Sequence, residues 1–281
     1  VVVAGLLAAV RSRGESMAAQ RLVLVGAGAA GVGIARLTET VMRSEEARVD
    51  PRPAVLMVDS RGLVFEGREQ IDDDKRPFAL PAEALARYGF PPATRYDLET
   101  VIRRVAPTIL IGTTSVAGTF SETAIREMAA RVPAPIVLPL SNPTANAEAT
   151  PADVLTWSGG RAVVATGSPF DPVVVDGRRR LVGQANNVFI FPGVGLGAIV
   201  AATREITDRM FLAASRTLAG MTSPERIAAG ALYPPLADLR PISRAVAIAV
   251  AREAVTAGLA RIPDDLDVEV AVDEAMWTPQ Y

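Results

Sequence analysis

A glycine-rich turn between an apolar run and a helical pattern is the feature that most limits how this chain can fold. The stretch RLVLVGAGAAGVGIARLTE, residues 21–39, places three glycines in the spacing G-x-G-x-x-G. The first permits a tight turn, the second lets a pyrophosphate approach the backbone, and the third lets the helix pack closely on the strand. The pyrophosphate would rest on free N–H groups at the start of the helix. The candidate residues for this contact are Gly26, Ala27, Gly28, Ala29, Ala30 and Gly31.

Strand-like and helix-like segments alternate over most of the chain, which is the pattern of a parallel sheet with crossover helices. We predict strands at 21–25, 54–59, 108–112, 135–139, 162–165 and near 188–191. We predict helices at 30–43, 97–104, 121–131, 150–157, 194–205, 208–219, 224–229 and 241–258. The predicted fold class is therefore α/β: a doubly wound, Rossmann-type, mostly parallel sheet with a C-terminal helical layer. The irregular segment 60–95 is long enough to predict a functional or partner-facing loop.

Three regions are predicted along the chain. Residues 1–20 hold an apolar helix at the junction with a preceding domain, residues 21–205 form the Rossmann domain, and residues 206–281 form a helical extension. The ten apolar residues VVVAGLLAAV are too few to span a bilayer. Because the chain starts inside this apolar stretch, we expect the helix to pack against a domain outside the chain and to leave an exposed apolar patch.

The composition excludes several classes of protein. Without cysteine or histidine, the chain has neither a disulfide framework nor a thiolate zinc site, and Ser168 has no partner for a serine–histidine–aspartate triad. A net charge of −2 argues against a nucleic-acid partner, and no apolar stretch is long enough to predict a membrane span. The expected location is the cytoplasm. Lys75 is the one lysine among 29 basic residues, so a mechanism that needs an amine base could use no other lysine.

The choice of cofactor depends on an acid and its basic neighbours. Asp59, in VLMVDSRG, ends the second predicted strand, where an acid accepts hydrogen bonds from the adenosine ribose and favours NAD. Ser60 and Arg61, with Lys75 and Arg76 in the following irregular segment, would instead suit the 2′-phosphate of NADP. Arg61 and Lys75 could equally be solvated surface charges. NAD and NADP therefore both remain open, and the basic neighbours favour NADP slightly.

Polar residues follow later predicted strands, at the edge where open α/β sheets bind ligands. They are Ser141 and Asn142 in IVLPLSNPTANAE, Ser168 in ATGSPFDP, and Asn186 and Asn187 in GQANNVFIFPGVGLG. An asparagine amide can orient a carboxylate or a cofactor amide, but it cannot exchange protons near neutral pH. Asn142, before a proline, could also start an Asx turn, and the asparagine pair could cap backbone groups. We interpret the glycines of 193–197 as close helix packing.

Together these stretches resemble the NAD(P)-binding domain of the malic enzymes, the decarboxylating malate dehydrogenases. The likeness runs in order through VAGLLAA, GAGAAGVGIA, VDSRGLVFEGR, LSNPTANAE, ATGSPFDPV, GQANNVFIFPGVGLG and LYPPL, and it covers essentially the whole chain. It implies oxidation of L-malate by NAD or NADP, followed by loss of CO2 to give pyruvate, assisted by Mn2+ or Mg2+. It also implies a homo-oligomer and an N-terminal catalytic domain outside this chain, because the family's lysine, tyrosine and metal-binding acids precede these motifs.

The resemblance also assigns roles to particular residues. It implies that the glycine turn holds the cofactor, that Asp59 lies at the ribose, and that Arg61 and Lys75 match basic residues of members that use NADP. The implied substrate-binding residues are Asn142, Asn186 and Asn187, of which Asn142 lies near the nicotinamide as well. No catalytic residue and no metal ligand is expected in this chain, so it should be inactive alone. The alternative is a non-catalytic dinucleotide-binding module.

Overall fold

Short runs of aliphatic residues form the strands because helices cover both faces of a parallel sheet. The computed structural model of the protein describes residues 1–45 and 53–277. The strands are β1 (Leu22–Val25), β2 (Val55–Asp59), β3 (Gly62–Leu63), β4 (Ile109–Gly112), β5 (Ile136–Pro139), β6 (Val163–Thr166), β7 (Val173–Val175), β8 (Arg178–Arg180) and β9 (Gly183–Gln184). The five longer predicted strands are thus confirmed as β1, β2, β4, β5 and β6.

Seven strands of the described ranges form one sheet in the order β3-β2-β1-β4-β5-β6-β9. Each neighbouring pair is parallel except β2 and β3, which are antiparallel. Strands β7 and β8 form a separate antiparallel hairpin. The predicted α/β class, with a mostly parallel sheet, is confirmed.

Helices follow the strands in alternation and then continue alone after the sheet ends. They are α1 (Val2–Ser12), α2 (Ala29–Ser44), α3 (Ala82–Arg87), α4 (Leu98–Val105), α5 (Glu122–Arg131), α6 (Pro151–Trp157), α7 (Phe191–Val200), α8 (Asp208–Gly220), α9 (Pro224–Ala228), α10 (Leu239–Thr256) and α11 (Val268–Ala275). The side chains of Ser121, Thr150 and Ser223 accept hydrogen bonds from the first turns of α5, α6 and α9 and so cap these helices. Residues 278–281 of the predicted C-terminal extension lie outside the described residues.

Two layers, one on each face of the sheet, form most of the core, and a small third cluster lies between α10 and α11. Leu22 and Leu24 of β1 belong to the layer formed with α1, α2, α7, α8 and α10. Val23 and Val25 of the same strand belong to the layer formed with α3, α4, α5 and α6. This alternation along one strand is the doubly wound arrangement, and it leaves the ends of the strands as the accessible part of the sheet.

The predicted strand near 188–191 is wrong. The run Val188 to Phe191 is apolar and aromatic, which suits a strand by composition, but Asn187–Phe189 is a turn of 3-10 helix and α7 begins at Phe191. Two local features favour the helix: the Asn186 side chain accepts the Val188 N–H at 3.0 Å, and Pro192 lies in the first turn. The helix predicted for 194–205 is therefore α7, shifted towards the N-terminus, and β9 takes the place at the edge of the sheet.

The exposed apolar patch expected for the opening helix is also wrong. Most of α1 is buried inside this chain: Val3, Ala4, Gly5, Leu6, Ala8, Ala9 and Val10 are all covered. The covering elements are α8, α9 and α2, because the C-terminal helices fold back over it. At Gly5 an added Cβ would lie only 2.4 Å from the Tyr233 hydroxyl. The large exposed apolar side chains lie elsewhere, with Phe191 and Ile199 on α7 at 77% and 76% exposure.

No helix in residues 1–45 or 53–277 combines the length and the apolar character that crossing a bilayer requires.

Candidate functional site

The sheet reverses its strand order beside β1, and this reversal places a crevice at the ends of β1 and β4. From β1 the chain moves outward to β2 and β3, and it then returns to the other side of β1 as β4. In open α/β sheets the crevice at such a reversal, outside the carboxyl ends of the strands, is where ligands bind. We call this edge the carboxyl edge.

The glycine turn closes against the end of β4. Gly26 has φ +108°, a conformation that favours glycine, and an added Cβ there would lie 2.5 Å from the Thr113 carbonyl oxygen. The Gly26 N–H donates to Val58 O at 2.8 Å, which ties the turn to the end of β2. At Gly31 an added Cβ would lie 2.0 Å from the Gly26 carbonyl oxygen. Both glycines are therefore required by close backbone packing, as their spacing predicts.

Gly28 differs from these two glycines because no protein atom lies within 4 Å of its added Cβ. It is the N-cap of α2, and no side chain caps that end of the helix. The N–H groups of the first helical turn, which include those of Ala29 and Ala30, have no carbonyl partner within the helix. Ala27 is buried below the turn, whereas residues 28–30 are exposed. Open space, free amide donors and the positive end of a 16-residue helix together fit a pyrophosphate.

Asp59, at the end of β2, holds two cations. Its carboxylate accepts one hydrogen bond from each terminal nitrogen of the Arg68 guanidinium, at 2.9 and 2.7 Å. The Lys75 ammonium lies 3.3 Å from the same carboxylate. Only 9% of the Asp59 side chain and 5% of the Arg68 side chain are exposed. Burial opposes ionisation of Asp59, but the hydrogen bonds from Arg68, from the Arg61 backbone and from Lys75 outweigh it, so the pKa of Asp59 lies below its usual value.

Lys75 bridges Asp59 to the irregular segment. Its ammonium also lies 2.5 Å from the exposed carboxylate of Asp72, whose hydrogen bond is the main cause that raises the pKa of Lys75. Ser60 and Arg61 are exposed beside this pair, and the Arg61 guanidinium donates to Gln70 at 2.5 Å. A cleft next to Asp59 is lined by Ser60, Arg61, Phe65, Gly67, Arg68, Glu69, Gln70, Ala93, Thr94 and Arg95. The predicted cofactor residues of this region therefore do lie together.

The sequence analysis missed Arg68, which is the main partner of Asp59. Arg68 is the last residue of the motif VDSRGLVFEGR, and it lies in a loop that returns past the end of β2. Besides Asp59, its guanidinium donates to the carbonyl oxygens of Gly62 and Leu63, at 3.2 and 3.0 Å. The one sequence feature that points to Arg68 as the partner of Asp59 is its position after Gly67, in the same motif as the acid that ends β2.

Polar groups from three more strands meet further along the carboxyl edge. The Ser168 hydroxyl, after β6, donates to the Asn142 side-chain oxygen, after β5, at 2.5 Å. The Gln184 amide of β9 donates to Gly167 O at 3.0 Å. Gly167 is required there because an added Cβ would lie 2.0 Å from the Leu140 carbonyl oxygen. Asn142 itself is exposed and precedes a cis peptide bond to Pro143, while Ser168 is buried.

The two asparagines after β9 differ in their surroundings. The Asn186 side chain is engaged as a cap of the following 3-10 turn, which is the structural alternative left open by the sequence. Asn187 is exposed, and in the part of the chain that the structure describes no hydrogen bond holds its side chain. Between these two, Asn187 is the one whose amide is available to a ligand.

Of the glycines in 193–197, Gly193 and Gly197 serve helix packing, whereas Gly195 has no protein atom within 4 Å of an added Cβ. An added Cβ at Gly193 would lie 2.6 Å from the Val246 Cβ, and one at Gly197 would lie 2.5 Å from the Ala247 carbonyl oxygen, both on α10. The sequence analysis also missed Glu148, a fully buried acid below the ends of β4 and β5 that bonds Thr114 and Ser141. Glu148 is the last residue of the motif LSNPTANAE, and its burial has no signal other than the alanines on either side.

No cluster of three or more acidic, histidine or cysteine side chains able to hold a metal ion occurs in residues 1–45 and 53–277. The oxygen and nitrogen atoms along the described carboxyl edge belong to amides, hydroxyls and two carboxylates. Both carboxylates, Asp59 and Glu148, already bond other residues of the chain. These groups do not form a complete metal site.

The reversed strand order, the glycine turn and the open N-terminus of α2 define a Rossmann-type dinucleotide-binding domain. The family model described as "Malic enzyme, NAD binding domain" matches residues 1–255. The chain therefore belongs to the malic enzyme family as its NAD-binding domain, which confirms the resemblance found in the sequence.

Named relatives agree with this assignment. The chain is 41% identical over 277 residues to the NAD-dependent malic enzyme of Sodalis glossinidius, covering 98% of this chain and 49% of that protein. It is 39% identical over 283 residues to NAD-dependent malic enzyme 1 of Vibrio vulnificus, covering 100% of this chain and 50% of the relative. The chain thus spans about half the length of the curated relatives it matches.

Solved structures give the same result. The crystal structure of the Entamoeba histolytica malic enzyme superposes with a TM-score of 0.76 at 27% identity, over 98% of this chain and 50% of that one. The malic enzyme of Pyrococcus horikoshii gives a TM-score of 0.70 at 23% identity, over 98% of this chain and 56% of that one, which supports the fold alone.

The ion pair of Asp59 and Arg68 generates a test of stability. We expect Asp59→Asn to lower the free energy of unfolding by roughly 3 kcal/mol at neutral pH, because it leaves the Arg68 guanidinium buried without its counter-charge. Chemical unfolding measures this. Asp72→Asn, which removes the exposed partner of Lys75, is the matched control and should stay close to the wild type.

The same pair predicts a pH dependence. Because the pKa of Asp59 is depressed in the folded protein, the pair stabilises the fold above the usual aspartate pKa and loses that effect as the pH falls through the folded value. The difference between wild type and Asp59→Asn should therefore shrink below about pH 4. A difference that stays constant from pH 7 into this acidic range would contradict a charged pair.

Proposed function

We propose that this chain is the cofactor-binding part of an NAD-dependent malic enzyme, which oxidises L-malate and releases CO2 to leave pyruvate. Membership of the family supports the class of reaction, and the names of the relatives support NAD. The observation that carries the proposal is the open space at Gly28, beside free amides at the start of α2.

The residues of the carboxyl edge then bind and orient. The pyrophosphate would lie on the free amides of residues 28–31 at the start of α2, and Asp59 would face the adenosine ribose. Bound NAD+ supplies the acceptor for the hydride that leaves malate. Asn142 and Asn187 donate amide N–H groups towards the nicotinamide and the substrate carboxylate, and Asn186 caps the 3-10 turn that carries Asn187. Ser168 orients Asn142 through the hydrogen bond between their side chains.

Proton transfer and metal binding are assigned to the other half of the enzyme. Amide side chains cannot accept or release a proton near neutral pH, so the asparagines cannot act as base or acid. The relatives are about twice as long as this chain, which leaves room for a second domain that supplies these groups. There a divalent ion, Mn2+ or Mg2+, would polarise the substrate oxygen for loss of CO2. A homo-oligomer is part of the same proposal.

The first test concerns the space at Gly28. Gly28→Val should lower the free energy of unfolding by no more than about 1 kcal/mol, because valine is a poorer N-cap than glycine, whereas its Cβ meets no protein atom and a φ of −83° suits any residue. It should abolish NAD binding measured by calorimetric titration, because the side chain fills the position of the pyrophosphate. Gly220→Val, at an equally open glycine at the end of α8, is the control and should bind NAD like the wild type. NAD binding that survives Gly28→Val would refute the proposed site.

NADP is the second candidate cofactor. The cleft beside Asp59 contains three arginines and Ser60, and Lys75 lies at its side, a group of donors that would suit a 2′-phosphate. Against this, both terminal nitrogens of the Arg68 guanidinium already donate to the Asp59 carboxylate, and its Nε–H is buried. A carboxylate oxygen can still accept a second hydrogen bond, so Asp59 keeps the capacity to bind a ribose hydroxyl. We therefore propose NAD as the preferred cofactor.

The double substitution Arg61→Gln with Lys75→Gln tests this choice. Wild type should bind NAD more tightly than NADP, and the double variant should leave NAD affinity within about twofold, because neither side chain is needed for a ribose hydroxyl. The residual NADP affinity should fall by about 1–3 kcal/mol. Arg126→Gln, at an exposed arginine of α5 that pairs with Glu122 and lies outside the cleft, is the control. A wild-type preference for NADP that this double variant removes would show that the basic residues select the phosphate.

The role of Asn187 is tested in the full-length enzyme. Asn187→Ala should lower kcat/KM for malate roughly 10- to 100-fold, the effect of losing a hydrogen bond to a carboxylate, with an unchanged thermal melt. Asn146→Ala, at a partly buried asparagine of the same edge, is the control. The 281-residue chain alone, given malate, NAD and Mn2+, should form no pyruvate. A full-length protein that binds NAD but never oxidises malate would instead identify a non-catalytic dinucleotide-binding module.

A further inference from the structure

Glu148 lies below the crevice, between the ends of β4 and β5, with 0% of its surface exposed. It stands between Ala147 and Ala149, which are buried as well. Burying a carboxylate among apolar groups is costly unless hydrogen bonds satisfy its oxygens. Glu148 can occupy this buried position only if its hydrogen bonds offset the free-energy cost of removing its carboxylate from water.

The carboxylate of Glu148 accepts four hydrogen bonds from two loops. One oxygen accepts the Thr114 backbone N–H at 2.7 Å, the Thr114 hydroxyl at 2.9 Å and the Ser141 hydroxyl at 2.5 Å. The other oxygen accepts the Ser141 backbone N–H at 3.3 Å. The loop after β4 and the loop after β5 are thereby joined through one side chain.

Ser141 connects Glu148 to Ser115, which lies nearer the crevice. Because its hydroxyl hydrogen is directed to Glu148, its oxygen is left to accept the Ser115 N–H at 2.8 Å. Ser115 has φ +58°, a conformation that a serine adopts only when its surroundings hold it there. The backbone also makes room for the acid, because an added Cβ at Gly112 would lie 2.5 Å from the Glu148 side chain.

We propose that Glu148 is a positioning residue for the nicotinamide half of the cofactor. The inference rests on the proposed function, in which the pyrophosphate lies at α2 and the adenosine at the end of β2. A dinucleotide that crosses the reversal of strand order must then place its other half at the ends of β4 and β5. Glu148 holds the loops at these ends, through Thr114 and Ser141, in the form that receives the nicotinamide ring.

The test compares NAD with ADP-ribose, which contains the adenosine and the pyrophosphate but no nicotinamide. In Glu148→Gln the side chain keeps its size, but its NH2 group would face groups that are themselves donors. The Kd for NAD should rise roughly tenfold, while the Kd for ADP-ribose should stay within about twofold of the wild type. A general loosening of the domain would weaken both ligands, so this comparison separates positioning from a purely structural effect.

A double-mutant cycle tests the path through Ser141. Ser141→Ala alone should weaken NAD and spare ADP-ribose, and combined with Glu148→Gln it should add little further loss, because both remove the same contact. Ser158→Ala is the matched control: Ser158 is a buried serine at the end of α6. It should leave both Kd values unchanged and should show no coupling to Glu148.

Equal losses for NAD and ADP-ribose in Glu148→Gln, or no loss for either, would overturn the positioning role. If Glu148→Gln does not fold, Ser141→Ala carries the same comparison, and an unchanged Kd for NAD in that variant overturns the inference. Wild-type protein that binds neither ligand would refute the proposed function itself, which distinguishes the two failures.

Discussion

The packing of the glycine turn against the end of β4 is the constraint on which the rest of the structure depends. An added Cβ at Gly31 would come within 2.0 Å of the Gly26 carbonyl oxygen, and one at Gly26 would come within 2.5 Å of the Thr113 carbonyl oxygen. A side chain at either position would separate β1 from α2 or from the loop after β4. Thr113 adds to the closure, since its N–H donates to Val25 O at 2.8 Å and its hydroxyl to Gly26 O at 2.8 Å. The open N-terminus of α2 and the crevice beside it exist because this contact is so close.

The location of the polar groups follows from the sheet. Strands covered on both faces have no room for polar side chains, so the first residues after each strand are the earliest positions where such groups can lie. Where these groups are buried, their hydrogen bonds must be satisfied within the protein. Arg68 does this for Asp59 and Glu148 for Ser141, and Ser168 bonds the exposed Asn142. The candidate site therefore depends on these supporting residues as well as on the residues that would contact a ligand.

The parts of the fold that were predictable are those decided by local pattern. The central strands are continuous aliphatic runs, the helix starts carry their capping residues, and the glycine spacing has one mechanical interpretation. The strand predicted near 188–191 was wrong because a short apolar stretch does not distinguish a strand from a buried helix. The cap at Asn186 favours the helical turn. Arg68 and Glu148 were missed because each bonds a residue whose proximity exists only after folding. The covering of α1 depends likewise on α8, which lies some two hundred residues away.

The electrostatics of the carboxyl edge bear on how the proposed enzyme would divide its work. Asp59 is held ionised by Arg68, Lys75 is held charged by Asp72 and Asp59, and the Asn142 and Asn187 amides do not titrate near neutral pH. All of these groups keep one protonation state near neutral pH. They are therefore suited to binding and orienting a charged cofactor and a substrate carboxylate. A base that takes up and returns a proton needs a pKa near the working pH, which these groups lack. In the proposed enzyme this chain therefore supplies orientation, and the rate of the chemical step depends on how accurately the loops beside Glu148 and Asn187 present the nicotinamide to groups on the other half.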